Sequence, residues 1–319
     1  MISVVIPIYG VEKYIERCAR SVLGQTFKDV EYIFVNDCTK DNSMSILSNV
    51  LKDYPKNNVT IISKKTNEGL PQARKTGVLA SHGDYIIHFD SDDWVEPDCL
   101  EKMYNCAITE NADIVIANYF ENFPDCEKKK ECPSVSSSID GINLMLRAKL
   151  HSGVWNKLIK RDLYKGVIFP KANMHEDLVT MVQLFSKANS FCCMDDAFYH
   201  YNLTNSGSLT NNLESKRRAK DAYENLKMIE SFIVQNNLID CFASFSNFVN
   251  TFKGVMLLHK QTRNKQWLYS LFPLSKRYIF TECRLALWKK ALLWGAYHHV
   301  MFPYSLVDIT RNIVTKDNE

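Results

Sequence analysis

The residues best suited to chemistry lie together in Tyr85–Pro97, YIIHFDSDDWVEP. An apolar, strand-like run (Ile86, Ile87, Phe89) leads directly into the carboxylates Asp90, Asp92 and Asp93, followed by Trp94 and Pro97. Acids this close at the mouth of a strand repel one another strongly in a half-buried site. A cation should sit among them, and oxygen-only ligands point to Mg²⁺ or Mn²⁺ rather than zinc. Taken alone, the run reads equally well as a solvated acidic turn. A second acidic run, His175-Glu176-Asp177, opens a helical stretch over Leu178–Ala188. Helix dipoles favour acids in the first turn, so capping is the plainer reading of that run by itself.

Elements that could position these acids follow from the pattern of Met1–Asn118. Short β-branched or aromatic runs (Ser3–Ile8, Glu31–Val35, Val59–Ser63, Tyr85–Phe89, Asp113–Ala117) alternate with helical stretches around Tyr14–Leu23, Ser43–Tyr54, Pro71–Ala80 and Pro97–Glu110. Such alternation implies a mostly parallel, doubly wound α/β sheet with helices on both faces. Ligands of these sheets bind beyond the carboxyl ends of the strands. Strand ends therefore gather the candidates: Pro7, Tyr9 and Glu12; Asp37 and Asp41; Asn67-Glu68-Gly69 with Gln72, Arg74 and Lys75; and the DSDD run. No G-x-G-x-x-G follows the first strand and no G-x-x-x-x-G-K-[ST] occurs, which disfavours a dinucleotide site and removes a P-loop. Asp37–Asp41 has calcium-loop spacing, but Asn42 stands where that loop needs glycine.

Residues 119–138 read as a charged, Ser- and Pro-containing surface excursion or flap, with Lys128–Lys130 in a solvated loop. Beyond it come Trp155-Asn156-Lys157-Leu158, a strand over Phe191–His200 and a turn at Ser206–Thr210. Trp155 and Tyr201 could stack on a ligand, although buried packing is commoner for aromatics. His200 reads as a structural histidine or a late metal ligand. After about residue 212 the chain turns helical: Glu214–Asn236, Cys241–Lys260 and Arg284–Tyr297. The last carries Leu285, Leu287, Trp288, Leu292, Leu293 and Trp294 interleaved with Arg284, Lys289 and Lys290. A helical annex packed on the sheet domain and a basic amphipathic helix at an anionic lipid surface both account for it.

The 319 residues, 46% apolar and 24% charged, can build a full core, and a net charge of +3 argues against a nucleic-acid surface. Ten cysteines show no CxxC pair or repeating framework and read as reduced thiols of a cytosolic protein. The start lacks a basic n-region and cleavage site, so secretion is not expected. Sequons at Asn58 and Asn202 are then chance matches, and no apolar run reaches bilayer-spanning length.

Together, SVVIPIYGVEKYIERCARSVLGQTF, VEYIFVNDCTKDNS and NEGLPQARKTGVLASHGDYIIHFDSDDWVEPDCL, with the later WNKL, HEDL and YHYN segments, resemble family 2 inverting glycosyltransferases of the GT-A fold, of the bacterial surface-polysaccharide type. The resemblance implies a GT-A domain over 1–211 with a helical C-terminal region over 212–319. It implies that Pro7, Tyr9 and Glu12 border the nucleotide base and ribose, and that Asp37 accepts a uracil N–H. Arg74 and Lys75 would approach the diphosphate, Asp90 the ribose, and Asp92 with Asp93 the Mn²⁺ or Mg²⁺. Asp177 would be the catalytic base, with Glu176 as the fallback. The second-strand signature departs from the usual D-D-G-S or D-D-C-S, reading Asn36-Asp37-Cys38-Thr39. Its partners would be a nucleotide-sugar donor, with UDP-sugar expected, and a carbohydrate or lipid-linked acceptor. The expected place is the cytoplasm, at the inner face of the membrane, with the C-terminal helices supplying a membrane contact or a homodimer face. Two other classes remain. Nucleotidyl transfer would want a glycine-rich basic loop after the first strand, where Pro7-Ile8-Tyr9-Gly10 stands; a nucleotide- or glycan-binding module with lapsed catalysis would not need both DSDD and HED.

Overall fold

All seven residues of the first strand, β1 (Ile2–Ile8), are buried, as a parallel strand covered on both faces requires. A computed structural model describes residues 1–205, 216–258, 262–281 and 284–300 of the chain. Two compact units divide it: Met1–Ile142 with Lys149–Ser208, and Asn143–Ala148 with Leu209–Glu319.

The first unit is a nine-stranded mixed sheet. Its strands are β1, β2 (Val30–Asn36), β3 (Asn58–Ser63), β4 (Tyr85–His88), β5 (Trp94–Val95), β6 (Ile114–Asn122), β7 (Glu127–Lys130), β8 (Lys157–Lys160) and β9 (Phe191–Asn202). Spatial order is β3-β2-β1-β4-β8-β6-β9-β5, with β7 on β6. Strands β3, β2, β1 and β4 are parallel; β8 runs antiparallel between β4 and β6; β6 and β9 are parallel again. Pairing of β1 with β4 ends at Val5, so Pro7, two residues on, lacks an N–H where no ladder bond is lost. Helices α1 (Ile15–Leu23), α2 (Ser43–Leu51), α3 (Leu70–Leu79), α4 (Cys99–Thr109), α5 (Ser138–Leu146) and α6 (Glu176–Lys187) fill the connections, α5 crossing into the second unit's share. Ile2, Val4, Ile6 and Ile8 of β1, Phe34 of β2, Val22 of α1 and Leu47 of α2 share one buried core.

Three local readings are corrected. The excursion after Tyr119 is a β-hairpin: β6 continues to Asn122 and pairs with β7, which contains the lysine run read as a loop. Short strands β5 and β8 carry too few residues to show a period, and they take the Trp94 and WNKL segments into the sheet. Cys106 of α4 and Cys192 of β9 form a disulfide, where reduced thiols were expected throughout. They lie 86 residues apart in sequence and meet only because α4 packs against β9, which spacing alone cannot reveal. The Ser206–Thr210 turn lies outside the described residues.

In the second unit, α7 (Lys216–Gln235), α8 (Phe242–Leu258) and α10 (Leu287–Tyr297) follow the three expected helices, and a short helix, α9 (Lys265–Ser270), lies between the last two where none was expected. Leu257, Leu268, Ile279, Leu285, Leu292 and Leu293 form its core. Lys253 is buried there, donating to Leu268 O, Ser275 Oγ and Tyr297 OH at 2.7–3.1 Å.

Candidate active site

Arg74 is the centre around which the acids assemble. It sits on the buried face of α3, and that helix starts at Gly69, whose φ of +90° suits glycine. Its guanidinium reaches three carboxylates: Nη2 donates to Asp90 Oδ1 at 2.6 Å, and Nη1 donates to Glu176 Oε1 and Asp177 Oδ1. The DSDD run at the end of β4 and the HED run at the start of α6, remote in sequence, are thereby one site. Burial would weaken the Arg74 charge, and these three acids more than restore it.

The carboxylates divide by environment. Burial pushes Asp90 up to about 6 against the pull of Arg74. Burial also raises Glu176 well above the usual carboxylate range, and the neighbouring Asp177 charge adds to that in spite of Arg74. For Asp177, burial pushes upward, but Arg74 and a hydrogen bond with Glu176 bring the group below its ordinary value. Asp177 is also the open one of the two, its side chain 25% exposed against 4% for Glu176. His88 and His151, on which the Asp177 charge acts, are kept neutral by burial, at about 3 and about 4. His175 holds a left-handed backbone (φ 60°) immediately before the pair, a conformation histidine tolerates better than most residues.

Asp93 is buried and fully engaged: it accepts from Tyr199 OH and, at 2.7 Å, from the Asn202 N–H. Burial, with Asp92 and Asp90 nearby, raises it well above the usual range. The repulsion expected within DSDD is thus met by the protein itself, through the hydrogen bonds to Asp93 and the pairing of Asp90 with Arg74. Asp92 is the acid left half-buried at the surface, with Asn205 Nδ2 donating to its Oδ2 at 2.9 Å. An Mg²⁺ or Mn²⁺ ion held by one carboxylate and completed by substrate phosphates and water fits such a position. Among the described residues no group of three or more His, Cys, Asp or Glu side chains could cage a metal alone.

The remaining candidates lie along the ends of β1 and β2. Asp37 is buried; its oxygens accept from the Glu68 and Gly69 N–H groups at 3.0 and 2.8 Å, with Lys64 Nζ 3.4 Å away. The loop that opens α3 is anchored there. Cys38 next to it has φ 61°, the left-handed value that glycine would supply in the usual signature. Glu12 accepts from both the backbone and side chain of Asn42, tying the first strand's loop to the second's. Tyr9 is half exposed beyond buried Pro7. Lys75 points to solvent from α3 and makes no hydrogen bond or ion pair among the described residues, so it does not join the Arg74 cluster.

Sequence reasoning missed Tyr199, Asn202 and Asn205, which clamp the acidic turn. Period-two alternation in YHYN was the available signal. Tyr199 and Tyr201 sandwich buried Trp155, with centroids 4.4 and 5.5 Å away, so Trp155 is core. His200 faces the other way, stacked between Trp94 (4.8 Å) and Phe120 (4.7 Å), and its nitrogens lie 2.9 Å from Glu96 and Glu127. It is a structural histidine, engaged on both nitrogens.

A mixed sheet that collects acids at its strand ends in this way, followed by helices, is the GT-A architecture. The chain belongs to glycosyl transferase family 2, whose model matches residues 3–168. It is similar to "Glycosyltransferase GlyG" of Streptococcus pneumoniae, 26% identical over 84% of this chain and 92% of that protein. The fold is similar to that of S. aureus TarS 1-349 in complex with UDP-GlcNAc, with a TM-score of 0.72, 18% identity and coverage of 98% of this chain and 91% of that one. Mannosyltransferase PcManGT from Pyrobaculum calidifontis, in complex with GDP-Man and Mn²⁺, is similar at a TM-score of 0.54 and 15% identity, over 98% and 86% of the two chains.

Proposed function

We propose that this glycosyltransferase moves a hexosyl or N-acetylhexosaminyl group from a UDP-sugar to a carbohydrate or lipid-linked acceptor, with inversion, in surface polysaccharide synthesis. The observation that carries the reading is the Arg74 cluster, which couples a nucleotide-side acid, Asp90, to an ionised and accessible carboxylate, Asp177. An acceptor hydroxyl is a poor nucleophile until a base takes its proton during attack. Asp177 suits that role better than Glu176, because its carboxylate is partly exposed where that of Glu176 is buried. Arg74 keeps Asp177 ionised and orients it. Attack on the face opposite the leaving diphosphate turns an α-linked donor into a β-linked product. Mn²⁺ or Mg²⁺ at Asp92, with Asp93 bracing the turn, would neutralise charge growing on the diphosphate. Pro7, Tyr9 and Glu12 would border the base and ribose, and Asp37 would accept the base N–H with a lone pair left by its two loop bonds. Lys75 is close enough in sequence only to meet an extended donor at the rim.

The GT-A part is taken as residues 1–211 and the helical part as 212–319. Work at the inner face of a membrane is supported by α10, whose Leu287, Trp288 and Trp294 are exposed beside Lys289 and Lys290. Among the described residues no helix is long and apolar enough to cross a membrane. The test is a thermal-shift panel of nucleoside diphosphates with Mn²⁺ or chelator, since a ligand of the native state raises apparent stability. Stabilisation by UDP only with Mn²⁺ is expected. A GDP preference would overturn the Asp37 assignment, and no metal-dependent shift with any nucleotide would favour a binding module with lapsed catalysis.

A further inference from the structure

A cavity of about 600 Å³ opens beside the acidic turn, where Trp94 and Asn202 line it. Its lining includes Lys13, Arg17, Trp94, Phe123, Asn202 and Thr204. None of the donor-side candidates and none of the Arg74 cluster lines it, yet Asn202 binds the backbone of Asp92 and the carboxylate of Asp93. Cavity and acidic turn therefore share a wall.

The charge of this lining is one-sided. Lys13 and Arg17, four residues apart where α1 begins, are its two cations, and no carboxylate lines it. Neither forms an ion pair among the described residues, because the nearest acids in sequence are engaged elsewhere: Glu12 with Asn42, Glu16 with Arg20. Arg17 is nonetheless fixed in place, its guanidinium carbon 3.4 Å from the centre of the Trp94 ring, whose other face is stacked on His200. Phe123 and Pro124, at the tip of the β6–β7 hairpin, supply an apolar wall, and Asn122, Asn202 and Thr204 supply neutral polar groups. One cation held on an aromatic ring and a second, mobile one, neither in an ion pair among the described residues, beside an apolar wall and amide groups suit a phosphate ester of a sugar or polyol.

We infer that this cavity is a subsite for a phosphate group carried by the acceptor, separate from the donor's diphosphate. The assignment of that phosphate to the acceptor rests on the glycosyltransferase reading. The test is calorimetric titration of the full chain, saturated with UDP and Mn²⁺, using α-D-glucose 1-phosphate, sn-glycerol 3-phosphate and the phosphate-free methyl α-D-glucoside. Expected is binding of at least one phosphate ester and none of the glucoside; the sugar and glycerol arms tell which kind of ester is preferred. Lys13→Ala and Arg17→Ala should each weaken the ester by about tenfold, the usual scale for losing a charge-assisted hydrogen bond, and leave UDP affinity unchanged. Lys13 is exposed and unbonded, so its variant reads the site even if the Arg17 variant loosens the Trp94 stack. Equal binding of glucoside and esters, no binding of any probe, or variants that weaken UDP instead would overturn the inference. Repeating the titration without UDP separates the two readings: failure of UDP to bind refutes the donor site, while ester binding still reports on the cavity.

Discussion

Arg74 shows how one buried guanidinium turns two unremarkable acidic runs into a site. From sequence each run has a plainer explanation, an exposed turn or a helix cap, and Arg74 reads as a diphosphate contact. What spacing cannot show is that α3 and α6 bring the runs onto the same cation, or that Tyr199 and Asn202 reach back to Asp93. Removing the guanidinium strands Asp90, Glu176 and Asp177 in a low-dielectric pocket. Arg74→Ala should therefore cost about 3–5 kcal/mol, read by urea unfolding, in line with breaking a buried ion pair from one side. Loss of less than about 1 kcal/mol would mean that the cluster rearranges freely. Asp90 carries the pH dependence. Its folded-state value of about 6 lies above the ordinary 3.8, so its contribution to stability is fully present below 3.8 and is lost as pH rises through 6. On the proposed reading donor binding runs the other way, because it would use the carboxylate: UDP affinity should fall as pH drops through about 6. Asp90→Asn should bind weakly with that step removed, and a wild-type profile flat from pH 5 to 8 would contradict the assignment.

At the scale of elements, the parallel half of the sheet was legible and the antiparallel half was not. Strands β1, β2 and β4 announce themselves through continuous apolar runs, because both faces are buried, and the edge strand β3 through its β-branched residues, although none of them is buried. Strands β5 and β8 have two and four residues, too short for any period, and the hairpin of β6 and β7 hides behind the polarity of its own lysines. Trp155 belongs to this scale. Held between Tyr199 and Tyr201 and edge-on to Tyr119, it ties the loop before β8 to β9 and β6. Trp155→Ala should cost about 3–5 kcal/mol in chemical denaturation, the usual range for emptying a large aromatic site in a core. A stable variant with only a raised acceptor KM would instead place the ring on substrate.

Across the whole molecule, helix positions in the C-terminal third were readable from periodicity, but their purpose was not, since an amphipathic stripe looks the same whether it meets protein or lipid. The structure divides the stripe: Leu285, Leu292 and Leu293 are buried, and Leu287, Trp288 and Trp294 are left exposed among lysines. A peripheral membrane role predicts that the full chain co-sediments with vesicles containing phosphatidylglycerol, less so at high salt, and that Trp288→Ser with Leu287→Ser weakens this severalfold. Binding to neutral vesicles equally well, or to none, would leave that face to another partner. The central claim, that Asp177 takes the acceptor's proton at a donor site built around Arg74, is tested most directly by Asp177→Asn, assayed for UDP–Mn²⁺ affinity and for sugar transfer side by side. Affinity within about twofold of wild type, with transfer lowered by about 10²–10⁴, is the predicted pair of results. Transfer retained near the wild-type rate would contradict the account.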